Sequence, residues 1–594
     1  MKMYTTATAF LEALHEAGVS YIFANLGSDH PAIIESLARA KKENKELPTV
    51  ITCPHEFVAL SAAHGYAQAT GEPQAVMVHV ECGTQNLGGA VHNASRSRVP
   101  VLIFAGASPY TQEGELTGSR NEFIHWIQDV PDQRGIMRGY TKYDNEIRTG
   151  ANVKQLVYRS LQIAKSDPTG PVYLMGPREA MEEETEPVTL DNELWEPISP
   201  GAIAPKQLEQ LTNALVTAKN PLIVTSYLGR NTEAVEELVR LSEKLSIPVI
   251  ESIPHQMNFP ADHSMHLGSQ WNTPGQNEQL AEADLVLVID SDVPWIQMKN
   301  KPSDQATVYY LDVDPLKEEM PLWYIPSKQF LKADSHIALQ QINQYIDDRC
   351  EVDLDMVSKR WEKFEDIHQK QMEEKRQVEQ AKTDVITPEY LTACVREVID
   401  EENTIVLNEG ITNYGAISNH IGLNTPGSYY GSGAGSLGWN GGAAIGMKLA
   451  KSDKTIVSLT GDGSYLFSVP STVHWMSNRY ETPFLTVIYN NSGWKAPKMS
   501  TLGVHPRGVA NETEGFWVNF DPAADLAKIA EAAGSAHPIK VEERSELKGI
   551  LEEGLRIVQE GKSVVINVTI PHVYAKEEVD AGEQIPDLEA EVKK

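Results

Sequence analysis

The sequence predicts an α/β protein with three domains, each a parallel sheet flanked by helices. Short apolar runs rich in β-branched residues recur along the chain, and their nearly continuous apolar character is typical of strands buried on both faces of a parallel sheet. Helical patterns such as 207–219 and 232–246 lie between these runs, and the repeated alternation of strand and helix favours parallel sheets. The chain of 594 residues is long enough for three large domains. The apolar runs are PQAVMVHV (73–80), VPVLIFAG (99–106), GPVYLMG (170–176), NPLIVTS (220–226), DLVLVID (284–290), TVYYLDV (307–313), KTIVSLTG (454–461), FLTVIYN (484–490) and SVVINVT (563–569).

Two polar interruptions indicate where the domains end. Residues 181–200 are acidic and contain prolines, and residues 351–384 carry the dense charge that is typical of a solvated helix. The predicted organisation is an N-terminal domain at 1–180, a central domain at 201–345, a linking helix at 351–384, a C-terminal domain at 385–575 and an acidic tail at 576–594.

Composition excludes several classes of protein. The net charge of −31 opposes binding to nucleic acid or to an anionic membrane surface, since both require clustered positive charge. The longest aliphatic runs, such as Leu285–Ile289, are too short to cross a bilayer. Glu12 and His15 interrupt the N-terminal stretch where a signal peptide needs an apolar run. The four cysteines show no paired spacing, which argues against a disulfide scaffold or a zinc ribbon, and we expect a cytoplasmic protein.

Two neighbouring strand ends carry hard oxygen donors. One predicted strand ends in Gly461-Asp462-Gly463, and the next, one strand–helix–strand crossover later, ends in Asn490-Asn491 before Gly493. Because carboxyl ends of parallel strands meet at one sheet edge, these groups are expected to lie together where ligands bind. A carboxylate, an amide oxygen and a backbone carbonyl suit Mg²⁺, which keeps its remaining positions for water and phosphate.

This pairing of GDG with a later NN resembles the signature of thiamine-diphosphate enzymes, in the group of acetohydroxyacid synthases, benzoylformate decarboxylases and pyruvate decarboxylases. The resemblance implies that the GDG aspartate, the second asparagine and the carbonyl two residues later hold Mg²⁺. GSYYGSGAGSLGWNGGAAIG (427–446) resembles the family's stretch in which an aliphatic residue supports the cofactor. The implied metal ligands are Asp462, Asn491 and Gly493, and the other implied contacts to thiamine diphosphate are Leu437, Gly461, Gly463 and Ser464.

The first domain carries three further matches. CPHEFVALSAAHGYAQATG (53–71) resembles the segment bearing the glutamate that activates the cofactor, which implies that Glu56 hydrogen-bonds its pyrimidine ring. FANLGSDHP (23–31) and VMVHVECGTQN (76–86) resemble active-site loops of benzoylformate decarboxylase and place Ser28 and His79 toward the substrate. The alternatives are a turn serine and a strand-end histidine bonded to backbone. Asn86 is expected to shape the cofactor or substrate loop.

The pattern departs from the acetohydroxyacid synthases, and the adjacent-histidine pair typical of pyruvate decarboxylases is absent. Where acetohydroxyacid synthases carry Phe-Gln-Glu before a Thr-Lys pair, this chain has Ile127-Gln128-Asp129 before Thr141-Lys142. The polar and aromatic stretch 115–135 is expected to line a distinct pocket. The central domain binds FAD in the synthases and ADP in some acyl-CoA enzymes, but its loop SYLGRN (226–231) has a single glycine, so either nucleotide is left open. Segment 492–520 is either a closing lid or a surface connection.

The resemblance implies a homodimer or homotetramer, because the family builds its site between the first domain of one subunit and the last domain of its partner. The leading function is a thiamine-diphosphate-dependent decarboxylase or carboligase of a 2-oxo acid, with Glu56, His79 and Ser28 as catalytic residues. The alternatives are a 2-hydroxyacyl-CoA lyase and a non-catalytic homologue. Glu56, Asp462 and Asn491 occur together, which argues against the latter.

Overall fold

A computed structural model describes residues 4–270, 275–381 and 383–575. The predicted acidic tail at 576–594 lies outside the described residues. The chain forms three six-stranded sheets whose strand pairs are all parallel, which confirms the predicted fold class. Within the part of the chain that is described, no helix is both long and apolar enough to cross a membrane.

The N-terminal sheet has the strand order β2-β1-β3-β4-β6-β5. Helices cover both faces, so the interior strands read as continuous apolar sequence. Its strands are β1 (Tyr21–Ala24), β2 (Thr49–Thr52), β3 (Gln74–Val78), β4 (Val101–Ala107), β5 (Tyr143–Glu146) and β6 (Val172–Pro177). Its helices are α1 (Thr6–Glu16), α2 (Pro31–Glu43), α3 (Glu56–Thr70), α4 (Val80–Asn86), α5 (Gly88–Arg96), α6 (Ile124–Ile127), α7 (Val153–Lys165) and α8 (Arg178–Glu182).

The central sheet has the order β12-β11-β10-β7-β8-β9, in which the direction of winding reverses between β7 and β10. Its strands are β7 (Pro221–Thr225), β8 (Val249–Ser252), β9 (His266–Gln270), β10 (Leu285–Ile289), β11 (Thr307–Asp312) and β12 (Gln329–Lys332). Its helices are α9 (Pro205–Thr217), α10 (Thr232–Leu245), α11 (Glu278–Glu282) and α12 (Ser335–Arg349). The 26-residue helix α13 (Leu354–Glu379) follows, within the segment predicted as a linking helix.

The C-terminal sheet has the order β14-β13-β15-β16-β18-β17. Its strands are β13 (Thr404–Glu409), β14 (Tyr429–Gly431), β15 (Thr455–Gly461), β16 (Leu485–Asn490), β17 (His537–Val541) and β18 (Val564–Thr569). Its helices are α14 (Pro388–Val398), α15 (Tyr414–Ile421), α16 (Trp439–Ala450), α17 (Asp462–Phe467), α18 (Pro470–Arg479), α19 (Lys495–Val504), α20 (Val509–Thr513), α21 (Leu526–Gly534) and α22 (Leu547–Gln559). Short 3₁₀ turns occur at Arg134–Ile136, Gly150–Asn152, Asn192–Trp195, Leu228–Arg230, Glu401–Asn403, Ile411–Asn413 and Arg544–Glu546.

Helices α3 and α16 join the N-terminal and C-terminal domains through a close crossing. Small residues allow the two backbones to touch: a methyl group added at Gly442 would lie 2.6 Å from the Ser61 side chain and 2.8 Å from the Val58 carbonyl oxygen. A methyl group at Gly65 or Gly446 would overlap the main chain of the opposite helix. The crossing therefore fixes Glu56, at the start of α3, relative to the loop that precedes α16.

Candidate active site

Asp462 lies at the carboxyl edge of the C-terminal sheet, between two neighbouring strands. Gly461 pairs in register with Tyr489 across β15 and β16, so the residues that follow these strands meet at one edge, as predicted. The Asp462 carboxylate is buried and accepts hydrogen bonds from the main-chain N–H groups of Gly463 (2.8 Å) and Gly493 (2.9 Å). Burial raises the pKa of Asp462 to about 6 despite these bonds, so the site favours a positive partner for the carboxylate.

The two adjacent asparagines have different roles. Asn490 donates to Asn567 (2.9 Å) and accepts from the Ser492 N–H, so it holds the strand end. The side-chain oxygen of Asn491 lies 2.8 Å from the Gly493 carbonyl oxygen and 3.3 Å from Asp462 Oδ1. With its nitrogen on this side the Asn491 amide donates to both oxygens, and with its oxygen there the three oxygens form a set of hard donors for a cation.

The glycines of this edge differ in what surrounds them. The Trp494 indole lies directly against Gly463, and a side chain there would collide with it. By contrast, a methyl group at Gly461 would meet nothing closer than the Gly410 carbonyl oxygen at 3.9 Å, and one at Gly435 would meet nothing within 4 Å. Packing within the chain does not explain these two glycines, whose backbones remain accessible to a ligand.

Leu437 lies half-buried in the loop between β14 and α16. Asn93 of α5 holds this loop from the N-terminal domain, because its amide donates to the Ser436 carbonyl (2.9 Å) and accepts from the Ser436 N–H (3.1 Å). Gly438 follows with φ +97°, and a side chain there would collide with the Phe467 carbonyl, so only glycine suits this turn.

Glu409, at the end of β13, supports the same loop and was missed by the sequence reasoning. Its buried carboxylate accepts from the N–H groups of Gly438 (2.7 Å), Trp439 (3.1 Å) and Asn440 (2.9 Å), and also from the Asn440 side chain. It thus caps the first turn of α16. The Asn-Glu-Gly that ends this strand, like the Gly-Asp-Gly of β15, was the available signal.

Glu56 begins α3 and is partly buried. Its Oε2 accepts from Asn86 Nδ2 at 2.6 Å, which gives Asn86 a specific place at the C-terminal end of α4. Gly83 lies so close that a methyl group there would be 3.3 Å from Glu56 Oε1. Among the described residues, no recorded hydrogen bond or ion pair joins Glu56 to Asp462 or Asn491 of the same chain.

Ser28 and His79 follow the neighbouring strands β1 and β3 and lie at one edge of the N-terminal sheet. The Ser28 hydroxyl is buried and has no hydrogen-bond partner. His79 Nδ1 lies 2.5 Å from Asp29 Oδ1, and His79 Nε2 lies 2.9 Å from Gln128 Oε1. The hydrogen bond with Asp29 raises the pKa of His79 although partial burial opposes the shift. Sequence reasoning assigned no role to Asp29 or Gln128.

Segment 115–135 packs toward this edge of the N-terminal sheet. Ser108 Oγ donates to the Gln128 carbonyl at 3.0 Å, and Gln133 Nε2 donates to the Gly106 carbonyl at 2.8 Å. The buried His125 contacts Arg178 at 3.1 Å. These bonds place Gln128 beside His79, so the segment contributes to the same site.

Segment 492–520 forms a helical excursion next to the GDG motif. It contains α19 and α20, and its base is closed by hydrogen bonds from the Trp494 N–H to the Val518 carbonyl and from the Phe520 N–H to the Ser492 carbonyl, both 2.9 Å. The Trp494 and Phe520 rings contact edge to face. The segment begins directly after Asn491 and includes Gly493. Its movement would therefore change access to the side chains of Asp462 and Asn491 and to the Gly493 carbonyl.

Three family models match the chain in succession. The thiamine pyrophosphate enzyme N-terminal TPP-binding domain matches residues 4–136, the central domain matches 208–342, and the C-terminal TPP-binding domain matches 410–568. The chain belongs to the thiamine pyrophosphate enzyme family. Each of the three sheets described above thus corresponds to one domain of this family.

Curated relatives and solved structures cover nearly the whole chain. An acetolactate synthase large subunit of Lactococcus lactis is 25% identical over 94% of this chain and 91% of its own length. A benzoylformate decarboxylase of Pseudomonas aeruginosa is 24% identical over 93% and 97%, respectively. Benzoylformate decarboxylase from Polynucleobacter necessarius has a TM-score of 0.77 at 20% identity, covering 96% of this chain and 99% of that one. A Rhodococcus jostii 4-hydroxybenzoylformate decarboxylase has a TM-score of 0.76 at 21% identity, covering 96% and 100%. The structural matches show that this thiamine pyrophosphate enzyme shares their fold.

The residues present suit thiamine diphosphate and a divalent cation. The oxygens of Asp462, Asn491 and Gly493 form a hard donor set, and the open backbone at Gly461 and Gly435 allows close approach. Glu56 offers a carboxyl group in the family's N-terminal TPP-binding domain.

The central domain of this thiamine pyrophosphate enzyme has a different character. In an open α/β sheet, nucleotides bind at the carboxyl edge where the winding reverses, here between β7 and β10. That crevice is closed by the chain itself: the Tyr227 N–H donates to the Asp290 carbonyl at 3.0 Å, and the hydroxyls of Ser226 and Ser291 lie 2.7 Å apart.

Buried charges fill the space beyond this closure. Lys317 Nζ lies 2.6 Å from Asp312, 2.8 Å from Asp292 and 2.8 Å from the Tyr227 hydroxyl. Arg98 of the N-terminal domain forms a bidentate ion pair with Asp292, with N···O distances of 2.8 and 3.2 Å. These buried groups pair with one another, and we assign neither FAD nor ADP to the domain.

Proposed function

We propose that this protein uses thiamine diphosphate and Mg²⁺ to release carbon dioxide from a 2-oxo acid, and then transfers the remaining acyl group to a proton or to a second carbonyl compound. The observation that carries the proposal is the convergence of the Asn491 amide with the Asp462 carboxylate and the Gly493 carbonyl, combined with the Asn86-bound carboxyl of Glu56 in the matched N-terminal domain. The relatives, named as acetolactate synthases and a benzoylformate decarboxylase, support this over a 2-hydroxyacyl-CoA lyase.

The residues proposed to bind the cofactor and to transfer protons lie at the edges of two sheets. Asp462, Asn491 and the Gly493 carbonyl would hold the cation and through it the diphosphate. Thiamine diphosphate, when bound, supplies the carbon nucleophile and accepts the electron pair that carbon dioxide leaves behind. Glu56 would hold a proton at the pyrimidine ring, with Asn86 fixing its other oxygen.

The substrate end is proposed at Ser28 and His79. The unpartnered Ser28 hydroxyl can donate to a substrate carboxylate, and a protonated His79 can neutralise that charge and supply a proton to the product. The segment 492–520 would exclude water during the reaction.

A homodimer or homotetramer completes the site in this proposal. Glu56 and Asp462 belong to different domains with no recorded bond between them in one chain, and apolar side chains near the cation site are exposed, including Phe467 at 51% and Trp494 at 39%. We place the protein in the cytoplasm, since the cysteines are free and a reducing compartment suits them.

The proposal is tested with a panel of pyruvate, branched-chain and aromatic 2-oxo acids and 2-hydroxyacyl thioesters, with carbon dioxide and products both measured. Carbon dioxide release from at least one oxo acid, dependent on thiamine diphosphate and Mg²⁺, is expected. The Asp462→Ala variant should lose this activity, whereas Asp453→Ala, at an exposed aspartate of the same domain, should retain it.

Two outcomes would overturn this function. Turnover of a thioester with no carbon dioxide from any oxo acid would favour the lyase. An unchanged thermal midpoint at saturating thiamine diphosphate and Mg²⁺ would favour a non-catalytic homologue, because a ligand that binds the folded state must stabilise it.

A further inference from the structure

Asp29 lies behind His79, buried beneath the edge where the substrate is proposed to bind. Only 3% of Asp29 is exposed, whereas 22% of the His79 side chain is. The carboxylate uses both oxygens: Oδ1 lies 2.5 Å from His79 Nδ1, and Oδ2 accepts from the Val80 N–H at 3.0 Å. The Asp29 carboxylate therefore holds both the His79 ring and the main chain that follows it.

Two glycines make room for this pair. A side chain at Gly27 would overlap the His79 imidazole, and a side chain at Gly106 would overlap the Asp29 carboxylate. Gly27 does not have a positive φ, so its backbone conformation does not require glycine. Its lack of a side chain is therefore explained by the ring that lies against it, which indicates that the local sequence is built around the pair.

The surrounding contacts fix where the protons are. His30 Nδ1 is also 2.9 Å from Asp29 Oδ1, but it accepts a hydrogen bond from the Gly27 N–H at 3.1 Å, so it has no proton to give. The donor to Asp29 is then His79 Nδ1. The other ring nitrogen of His79 lies 2.9 Å from the Gln128 amide, which can turn its oxygen toward a protonated Nε2, so the ring can carry a proton on both nitrogens.

We infer that Asp29 is a positioning residue: it fixes the orientation of the His79 ring and favours its doubly protonated form, whose Nε2–H would pass from Gln128 to the carboxylate or product carbon of a bound 2-oxo acid. The inference about the ring stands on geometry alone, and its catalytic consequence rests on the proposed function. The charged or titratable groups that face His79 are Asp29, its neighbour His30 and, through space, Glu56.

The direct test is nitrogen-15 NMR of the ligand-free protein labelled at histidine, with the His79 signals assigned by their loss in His79→Gln. On titration, both ring nitrogens of His79 should keep the shifts of protonated imidazole to a higher pH than an ordinary histidine, with a pKa above 6.5. A His79 pKa at or below 6.5 would overturn the inference. This measurement needs neither cofactor nor substrate, nor a folded Asp29 variant.

Asp29→Asn provides the second arm, because the amide keeps the shape and an acceptor for Val80. The pKa of His79 should fall to or below its ordinary value. The matched control is Asp144→Asn, which removes an ion-paired carboxylate from β5 of the same domain and should leave the His79 titration unchanged. An unchanged His79 pKa in Asp29→Asn would also overturn the inference.

Kinetics separate a positioning role from a structural one. If an oxo acid is turned over, kcat of Asp29→Asn should fall about 100-fold, with a smaller change in KM, and should recover in part as the pH is lowered and His79 regains its proton. Loss that is independent of pH would contradict positioning. If the NMR results hold but no oxo acid is turned over, the proposed function fails while the Asp29–His79 assignment stands.

Discussion

Glu56 presents two carboxylate oxygens in different surroundings. Oε2 is occupied by the Asn86 amide at 2.6 Å, whereas Oε1 faces α4 at Gly83. A carboxyl group can take up and release a proton on the free oxygen, and a glutamine of the same shape cannot. The carboxyl is thus suited to move a proton while its position is held.

We expect Glu56→Gln to retain thiamine diphosphate binding but to slow deprotonation of the cofactor C2 about 100-fold or more, since general acid–base groups contribute on this scale. Hydrogen–deuterium exchange at C2 measures the step directly. Glu72→Gln, at an exposed glutamate paired with Lys165, is the control and should exchange at the wild-type rate. A wild-type rate in Glu56→Gln would remove this residue from its proposed role.

At the scale of elements, α16 begins on a buried carboxylate. Burial raises the pKa of Glu409 to about 7, although the N–H groups of α16 and the Asn440 side chain favour the charged form. The unfolded value is near 4.5, so between about 4.5 and about 7 the folded state binds the extra proton. The free energy of unfolding therefore falls as pH rises through this window, by at most about 1.4 kcal/mol per pH unit from this group.

Glu409→Gln should remove that contribution. The thermal midpoint of the variant should change less between about pH 5 and about pH 7 than that of the wild type, while Glu402→Gln, an exposed glutamate preceding β13, should follow the wild type. Identical pH dependence of all three proteins would show that Glu409 does not titrate in this range.

The carboxyl edge of the central sheet offers a second test at this scale. Lys317 has no exposed side-chain surface and forms ion pairs with Asp292 and Asp312. Lys317→Met would leave Asp312 buried without its partner, and removal of one member of a buried pair typically costs about 3–5 kcal/mol. Lys301→Met breaks an exposed pair with Asp304 and should cost about 0–1 kcal/mol. Denaturant unfolding that gives equal losses for both variants would contradict the importance of the buried cluster.

At the scale of the whole molecule, we expect a homodimer or homotetramer. Phe467 and Trp494 are exposed near the cation site, and a partner subunit that brought its Glu56-bearing domain there would cover them. Light scattering under assay conditions measures the assembly. A catalytically competent monomer would refute the shared site, and Phe467→Glu should weaken the assembly if this face is the interface.

The sequence predicted the interior of the fold better than its margins. Every apolar run noted in the sequence is an interior strand, covered on both faces and therefore continuously apolar. The edge strands are not among those runs, nor are the interior strands β1, β8 and β13. The edge strand β5 (Tyr143–Glu146), with its half-buried sequence YDNE, shows how weak such a signal is. An edge strand has one neighbour and needs less apolar surface, so its sequence carries a weaker signal.

The site was predictable where one short segment carries the chemistry. Asp462 and Asn491 were found because two strand ends one crossover apart must meet. Asp29 and Glu409 were not, because each acts on a partner far along the chain: 50 residues separate Asp29 from His79, and 31 separate Glu409 from Asn440. Such pairings depend on which segments the folded sheets bring together, and local residue patterns do not contain that information.

The contact of α3 with α16 has a mechanical consequence. Because the two backbones touch at glycine and alanine, there is no layer of side chains between them that could shear or repack. The N-terminal and C-terminal domains of a chain must then turn as one piece, and the span between the start of α3 and the loop before α16 stays constant through a catalytic cycle. Opening and closing cannot be achieved by a hinge at this joint. If the segment 492–520 acts as the proposed lid, restricting its movement should slow turnover while the contact between α3 and α16 stays unchanged.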